Sequence, residues 1–76
     1  IRSVHFANRF GIIKTLPGYA NSIAIYIDNA GRYEIVGTIA GDDTILLIPA
    51  QDISHEEMKK ALQLIFPTFD ESHYKL

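Results

Sequence analysis

Ile35-Val36-Gly37-Thr38-Ile39-Ala40-Gly41-Asp42-Asp43-Thr44-Ile45-Leu46-Leu47-Ile48-Pro49 holds two apolar, β-branched runs separated by a Gly-Asp-Asp break. Residues 35–40 and 44–48 read as strands, because Val, Ile and Thr suit a pleated, half-buried surface. The break at 41–43 reads as a tight turn and Pro49 as a stop, so the stretch predicts a β-hairpin. Downstream, Ser54-His55-Glu56-Glu57 has capping-box spacing, with Ser54 as N-cap and Glu57 at N3. Met58, Ala61, Leu62, Ile65 and Phe66 continue it as one apolar helical stripe, ended by Pro67. Residues 68–76 are expected to form a loose tail. Upstream, Ala20, Ile23, Ala24 and Ile27 fall at i, i+3, i+4 and i+7, which predicts a helix over 19–29. Gly31 follows as a left-handed helix stop. Tyr19, Ile25 and Tyr26 add apolar surface outside that stripe, so the helix is expected to be buried by the sheet on one side and by a neighbouring subunit on another. Residues 2–8 alternate Val4 and Phe6 against Ser3 and His5 and read as a strand. Asn8-Arg9 reads as a turn, Gly11 as a bulge or bend, and residues 12–16 as a second strand ended by Pro17-Gly18. The order ββαββα makes an α+β fold: a two-layer sandwich with a four-stranded sheet and both helices on one face.

Size and composition narrow the function. Seventy-six residues make one domain, 1–76, and a domain this small is marginally stable alone. With no cysteine, neither disulfides nor thiolate-bound zinc can staple it. At 47% hydrophobic, it has apolar surface to spare for a subunit interface. The net charge of −2 gives no basic face for phosphate, so nucleic-acid binding by this segment is not expected. No apolar run reaches the about 20 residues of a membrane span. The absence of cysteine and of a signal-peptide pattern fits the cytoplasm. The chain begins mid-pattern at Ile1 without an initiator Met, which suggests a fragment or a processed chain.

Asp42-Asp43 is the most informative pair. Asp favours turns for its own backbone hydrogen bonds, so one reading is a solvated hairpin tip. The other is a receptor for a cation. A guanidinium offers five N–H donors in a planar fork and keeps its charge, and two carboxylates accept it in paired bonds. Calcium needs six or more oxygens, which Gly41 and Thr44 do not supply. Asn21 and Asp28 lie seven residues apart, hence on one helix face. Asn21 is close to the helix N-terminus, where an anion is favoured, and Asp28 suits an ammonium group. Together they fit the two charges of a free amino acid, or simply the polar edge of a buried helix. His5, His55 and His73 show no metal-ligand spacing, and His55, in a helix first turn, is expected to be solvated. Ser54 is a cap rather than a nucleophile, and no catalytic motif is present, so the chain is not expected to be an enzyme.

The block Gly37-Thr38-Ile39-Ala40-Gly41-Asp42-Asp43-Thr44-Ile45 resembles the signature of the bacterial arginine repressor family. Lys14-Thr15-Leu16-Pro17-Gly18-Tyr19-Ala20-Asn21 resembles the same family's strand-to-helix junction, and Asp28-Asn29 and Glu34-Ile35-Val36-Gly37 match in kind and spacing. The likeness covers residues 4–66. It implies the C-terminal arginine-binding and oligomerisation domain of a transcription regulator of arginine biosynthesis and catabolism genes, with the N-terminal winged helix-turn-helix domain absent from this chain. It further implies homotrimers that stack as a dimer of trimers, a hexamer with L-arginine, the co-repressor, at the trimer–trimer interface. No metal or other cofactor is implied, and operator DNA is reached only through the missing domain. Carried over by position, Asp42 and Asp43 hold the guanidinium, at least one of them from the opposing trimer. Ala20 and Asn21 meet the α-carboxylate end, Asp28 the α-ammonium, and Thr38 and Ala40 line the site through backbone. Tyr19 replaces a smaller residue. The alternative is a stand-alone amino-acid-binding module of a metabolic enzyme.

Overall fold

The computed structural model describes residues 1–68 and 74–75. The N-terminal alternation becomes a hairpin in which β1 (Ser3–Ala7) and β2 (Phe10–Lys14) pair antiparallel around Asn8-Arg9. Asn8 turns the chain at φ 53°, a left-handed conformation that Asn tolerates better than most residues. β2 starts two residues earlier than its spacing predicts, and Gly11 is neither bulge nor bend but a strand residue opposite Phe6. Packing is the reason. A Cβ at Gly11 would lie 2.7 Å from Met58 Sδ and 2.9 Å from Leu47 Cδ1. Gly11→Ala is therefore expected to destabilise the domain by about 1–3 kcal/mol through overpacking. The measurement is the denaturant midpoint, and an unchanged midpoint would show that Met58 swings aside at no cost.

Four further elements complete the domain: α1 (Ala20–Ala30), β3 (Ile35–Ala40), β4 (Thr44–Pro49) and α2 (His55–Ile65). The antiparallel strands run β3-β4-β2-β1 across the sheet, in the expected α+β arrangement. A two-residue strand, β5 (Tyr74–Lys75), adds in parallel beside β1. The rest of the expected loose tail, residues 69–73 and 76, lies outside the described residues.

One apolar cluster joins both layers. Val4, Ile13, Ile45 and Leu47 come from the sheet, Ala20, Ala24 and Ile27 from α1, and Met58, Leu62 and Ile65 from α2. Every sheet residue in it points to the same side, so both helices cover one face. α2 starts as its sequence predicts, with Ser54 Oγ accepting from the Glu57 N–H and Glu57 Oε1 accepting from the Ser54 N–H, each at 3.1 Å. α1 has no side-chain cap at Tyr19 but ends on Gly31 at φ 66°. The link from α1 to β3 is fixed by Arg32, whose Nε and Nη2 donate to Glu34 at 3.1 and 2.8 Å. That hydrogen-bonded pairing holds the largely buried Glu34 carboxyl below the usual carboxylate range.

The second face of the sheet, which has no helix on it, carries an apolar row flanked by His5, Lys14 and Thr44, with Ile12 and Leu46 half-buried. Ile12, Leu46 and Ile39 lie in register across β2, β4 and β3, and Ile39 is 61% exposed. His55 departs from its expected solvated state. It is half-buried, its ring stacks on Phe6 at 5.2 Å, and its Nε2 meets the Asn8 carbonyl, so it ties α2 to the first hairpin.

Candidate ligand-binding site

The turn between β3 and β4 is closed by the Gly41 N–H donating to the Thr44 carbonyl at 2.7 Å, leaving Asp42 and Asp43 at the tip. Their backbone carbonyls hold the junction before α1. The Asp43 carbonyl accepts from the Thr15 N–H at 2.8 Å. The Asp42 carbonyl accepts from the Gly18 N–H at 3.0 Å and the Ala20 N–H at 3.4 Å. The last bond uses one of the free N–H groups of the first helical turn. Gly18 makes the approach at φ 86°, a conformation that glycine reaches without strain. Thus the acidic tip and the start of α1, with Ala20 and Asn21, are brought together by main-chain bonds, independently of the charges on the side chains.

α1 then runs back along β3. Asn21 and Asp28 are both exposed and share a flank, about 10 Å apart at 1.5 Å per residue. That flank faces β3, because Asp28 Oδ1 accepts from Thr38 Oγ1 at 3.0 Å. Ile25, half-exposed, lies between Asn21 and Asp28 along the same flank. Thr38 and Ala40 are on the core-facing side of β3, in register with Leu47 and Ile45. β3 is the sheet edge, so the groove between it and α1 is open to a second molecule on one side. The opposite flank of α1 is turned toward α2, where Tyr26 and Phe66 approach at 5.4 Å between ring centres.

Of the seven residues singled out in the sequence, Asn21, Asp28, Thr38 and Ala40 lie along α1 and β3, Asp42 and Asp43 form the tip at one end, and Ala20 is buried in the core beneath the start of α1, its N–H bonded to the Asp42 carbonyl. Two further residues reach the acidic tip from the other face of the sheet, the one that carries Ile12 and Leu46. Lys14 and Thr44 are cross-strand partners at the ends of β2 and β4. Lys14 Nζ donates to Thr44 Oγ1 at 2.8 Å, and Thr44 Oγ1 donates to Asp43 Oδ1 at 2.9 Å. By contrast, the Asp42 and Asn21 side chains have no hydrogen-bond partner among the described residues. Both are chemically free to meet a ligand. A separate cleft of about 320 Å³ lies at the other end of the sheet, lined by Arg9, Phe10, Ile48, Pro49 and Gln51, and shares none of these residues. Among the described residues no group of three or more His, Cys, Asp or Glu side chains is placed to hold a metal ion. No helix among them is long and apolar enough to cross a membrane.

Comparison with known proteins finds relatives over most of the chain. The family described as "Arginine repressor, C-terminal domain" matches residues 1–63. The arginine repressor of Phocaeicola vulgatus is 49% identical over 65 residues, covering 86% of this chain and 41% of that protein. The arginine repressor of Bacteroides thetaiotaomicron is 43% identical over 68 residues, covering 90% of this chain and 43% of its own length. That of Parabacteroides distasonis is 47% identical over 60 residues, covering 79% and 41%. The chain thus spans about two-fifths of the curated relatives it matches.

Proposed function

Since the chain belongs to the family of arginine repressor C-terminal domains, we propose that it senses L-arginine and assembles the regulator of which it is part. The family is one of repressors, not enzymes, and no observation favours an enzyme-borne sensing module. The observation that carries the ligand reading is the acidic tip held beside the start of α1, with Asp28 further along the same groove. Asp42 and Asp43 accept the guanidinium, Ala20 and Asn21 face the α-carboxylate, and Asp28 accepts from the α-ammonium. Thr38 and Ala40 form the wall. A single chain offers these groups on an open sheet edge, which suits a site completed by an opposing subunit.

The assembly reading has its own support in the open apolar row Ile12, Leu46 and Ile39, which a small domain gains by covering. Trimers form on that face, and two trimers meet through the acidic tips. Without ligand the tips repel. L-arginine replaces repulsion with bridging, and a coupling of about 1–3 kcal/mol is expected between binding and hexamer formation. In the complete regulator, which acts in the cytoplasm, this sets the spacing of N-terminal domains that bind operator DNA. L-arginine is the co-repressor, and no other cofactor takes part.

Light scattering with and without L-arginine tests the proposal. The mass is expected to rise toward a hexamer when the ligand is added, and a monomer in both conditions would defeat it. Citrulline supplies the chemical control. It keeps the shape but lacks the charge, so its affinity is expected to be at least about tenfold lower. Equal affinity in calorimetry would argue against a carboxylate clamp.

A further inference from the structure

We propose that Thr44 is a positioning residue for the ligand site, and that Lys14 directs its hydroxyl proton onto Asp43. This deepens the L-arginine reading and rests on it. A threonine hydroxyl has one proton to give and two lone pairs to accept with, whereas an ammonium group only donates. Lys14 Nζ lies 2.8 Å from Thr44 Oγ1, so the hydroxyl must accept there. Its single proton is then free to donate to Asp43 Oδ1 at 2.9 Å. The direction of the relay, Lys14 to Thr44 to Asp43, follows from valence alone.

The consequence is an asymmetric acid pair. Asp43 has one oxygen tied to the strand end, which narrows the rotamers open to it and partly orders its second oxygen before any ligand arrives. The Asp42 side chain has no hydrogen-bond partner among the described residues and keeps its freedom. A planar guanidinium bound by two carboxylates needs at least one acceptor at a set angle, and preorganising it reduces the ordering cost of binding. Strand register makes the relay possible, because Lys14 and Thr44 are directly opposed across β2 and β4.

The test is a calorimetric titration of L-arginine into the parent chain and five variants. Thr44→Val keeps the β-branched shape and removes the hydroxyl, and is expected to weaken binding about tenfold. Thr44→Ser restores the donor and is expected to bind within about twofold of the parent. Lys14→Met leaves the hydroxyl free to rotate and is expected to weaken binding about threefold. In an Asp43→Ala background, which has no acceptor at this position, the Thr44→Val change is expected to cost less than about twofold further, because the threonine acts through that carboxylate. A merely structural role would not give this pattern. Should Thr44→Val fail to fold, Lys14→Met and Thr44→Ser carry the comparison. Parental affinity in both Thr44→Val and Lys14→Met overturns this inference alone. So does a loss that serine does not rescue. A parent chain that binds no L-arginine overturns the ligand reading and this inference together.

Discussion

Replacing Asp42 and Asp43 together by Asn is expected to lower L-arginine affinity by about a hundredfold or more, since removing each charge-assisted hydrogen bond costs about 1.5 kcal/mol. The fold should not notice. The tip is tied to the rest of the domain by the Asp42 and Asp43 carbonyls, accepting from Thr15, Gly18 and Ala20, and asparagine has the same backbone. Asn Oδ1 also remains an acceptor for Thr44 Oγ1, which donates to Asp43 in the parent. Exposed substitutions of this kind change stability within about 0.5 kcal/mol. Calorimetry should therefore show weaker binding while the thermal midpoint stays put. Assembly gives a second readout. The neutral tips no longer repel, so the hexamer should lose its dependence on L-arginine. Undiminished affinity in the double variant would place the site elsewhere, whereas a lowered thermal midpoint would mean that the carboxylates hold the tip together.

Much of the fold, and of where the candidate site residues fall in it, is legible in the linear sequence because the signals are local. The Ser54–Glu57 capping box and the Gly31 stop are each settled within four residues, and both are formed as their spacing predicts. The Gly41–Thr44 turn is equally local. The common flank of Asn21 and Asp28 follows from helical geometry once α1 exists. What the sequence hides is set by residues distant along the chain. The early start of β2 has no local cue, since Gly11 reads as a breaker until Met58 and Leu47 are seen to fill the space above it. His55 reads as solvated until Phe6 and Asn8 come beside it from 47 or more residues away. The Lys14–Thr44–Asp43 relay needs the β2–β4 register, 30 residues across, which no spacing rule supplies. The apolar excess is visible in the composition, but composition does not locate it. Helical spacing puts it on α1 outside the core stripe, where Ile25 on one flank and Tyr26 on the other are half-exposed, yet a further apolar row runs in register across the back of the sheet.

That row carries the second large effect. Leu46→Glu is expected to convert the assembled protein to monomer while leaving the domain folded. Leu46 sits at the centre of the open face, opposite Ile12 on β2 and Ile39 on β3, and its neighbours in sequence, Ile45 and Leu47, are the ones that point into the core. Glutamate at 46 therefore leaves the intramolecular core untouched. In an assembly built on this face the same change is repeated by symmetry in every subunit. Each copy loses part of the about 1.5–3 kcal/mol of a fully buried leucine, since Leu46 is already half-buried in the single chain, and gains a carboxylate facing its equivalents in a poorly hydrated centre. Sedimentation should show at least about a tenfold loss of self-association, since each 1.4 kcal/mol is a factor of about ten. Far-UV circular dichroism should keep its native shape. The outcome also separates the two surfaces of the proposed assembly. A variant that still forms trimers but no hexamer would shift the trimer interface away from the sheet. A monomer that still binds L-arginine weakly would show that each chain holds most of the site, with the opposing subunit supplying the remainder. An unchanged mass would remove the sheet face from the interface altogether and leave the exposed apolar residues of α1, Ile25 on one flank and Tyr26 on the other, as the next surface to test.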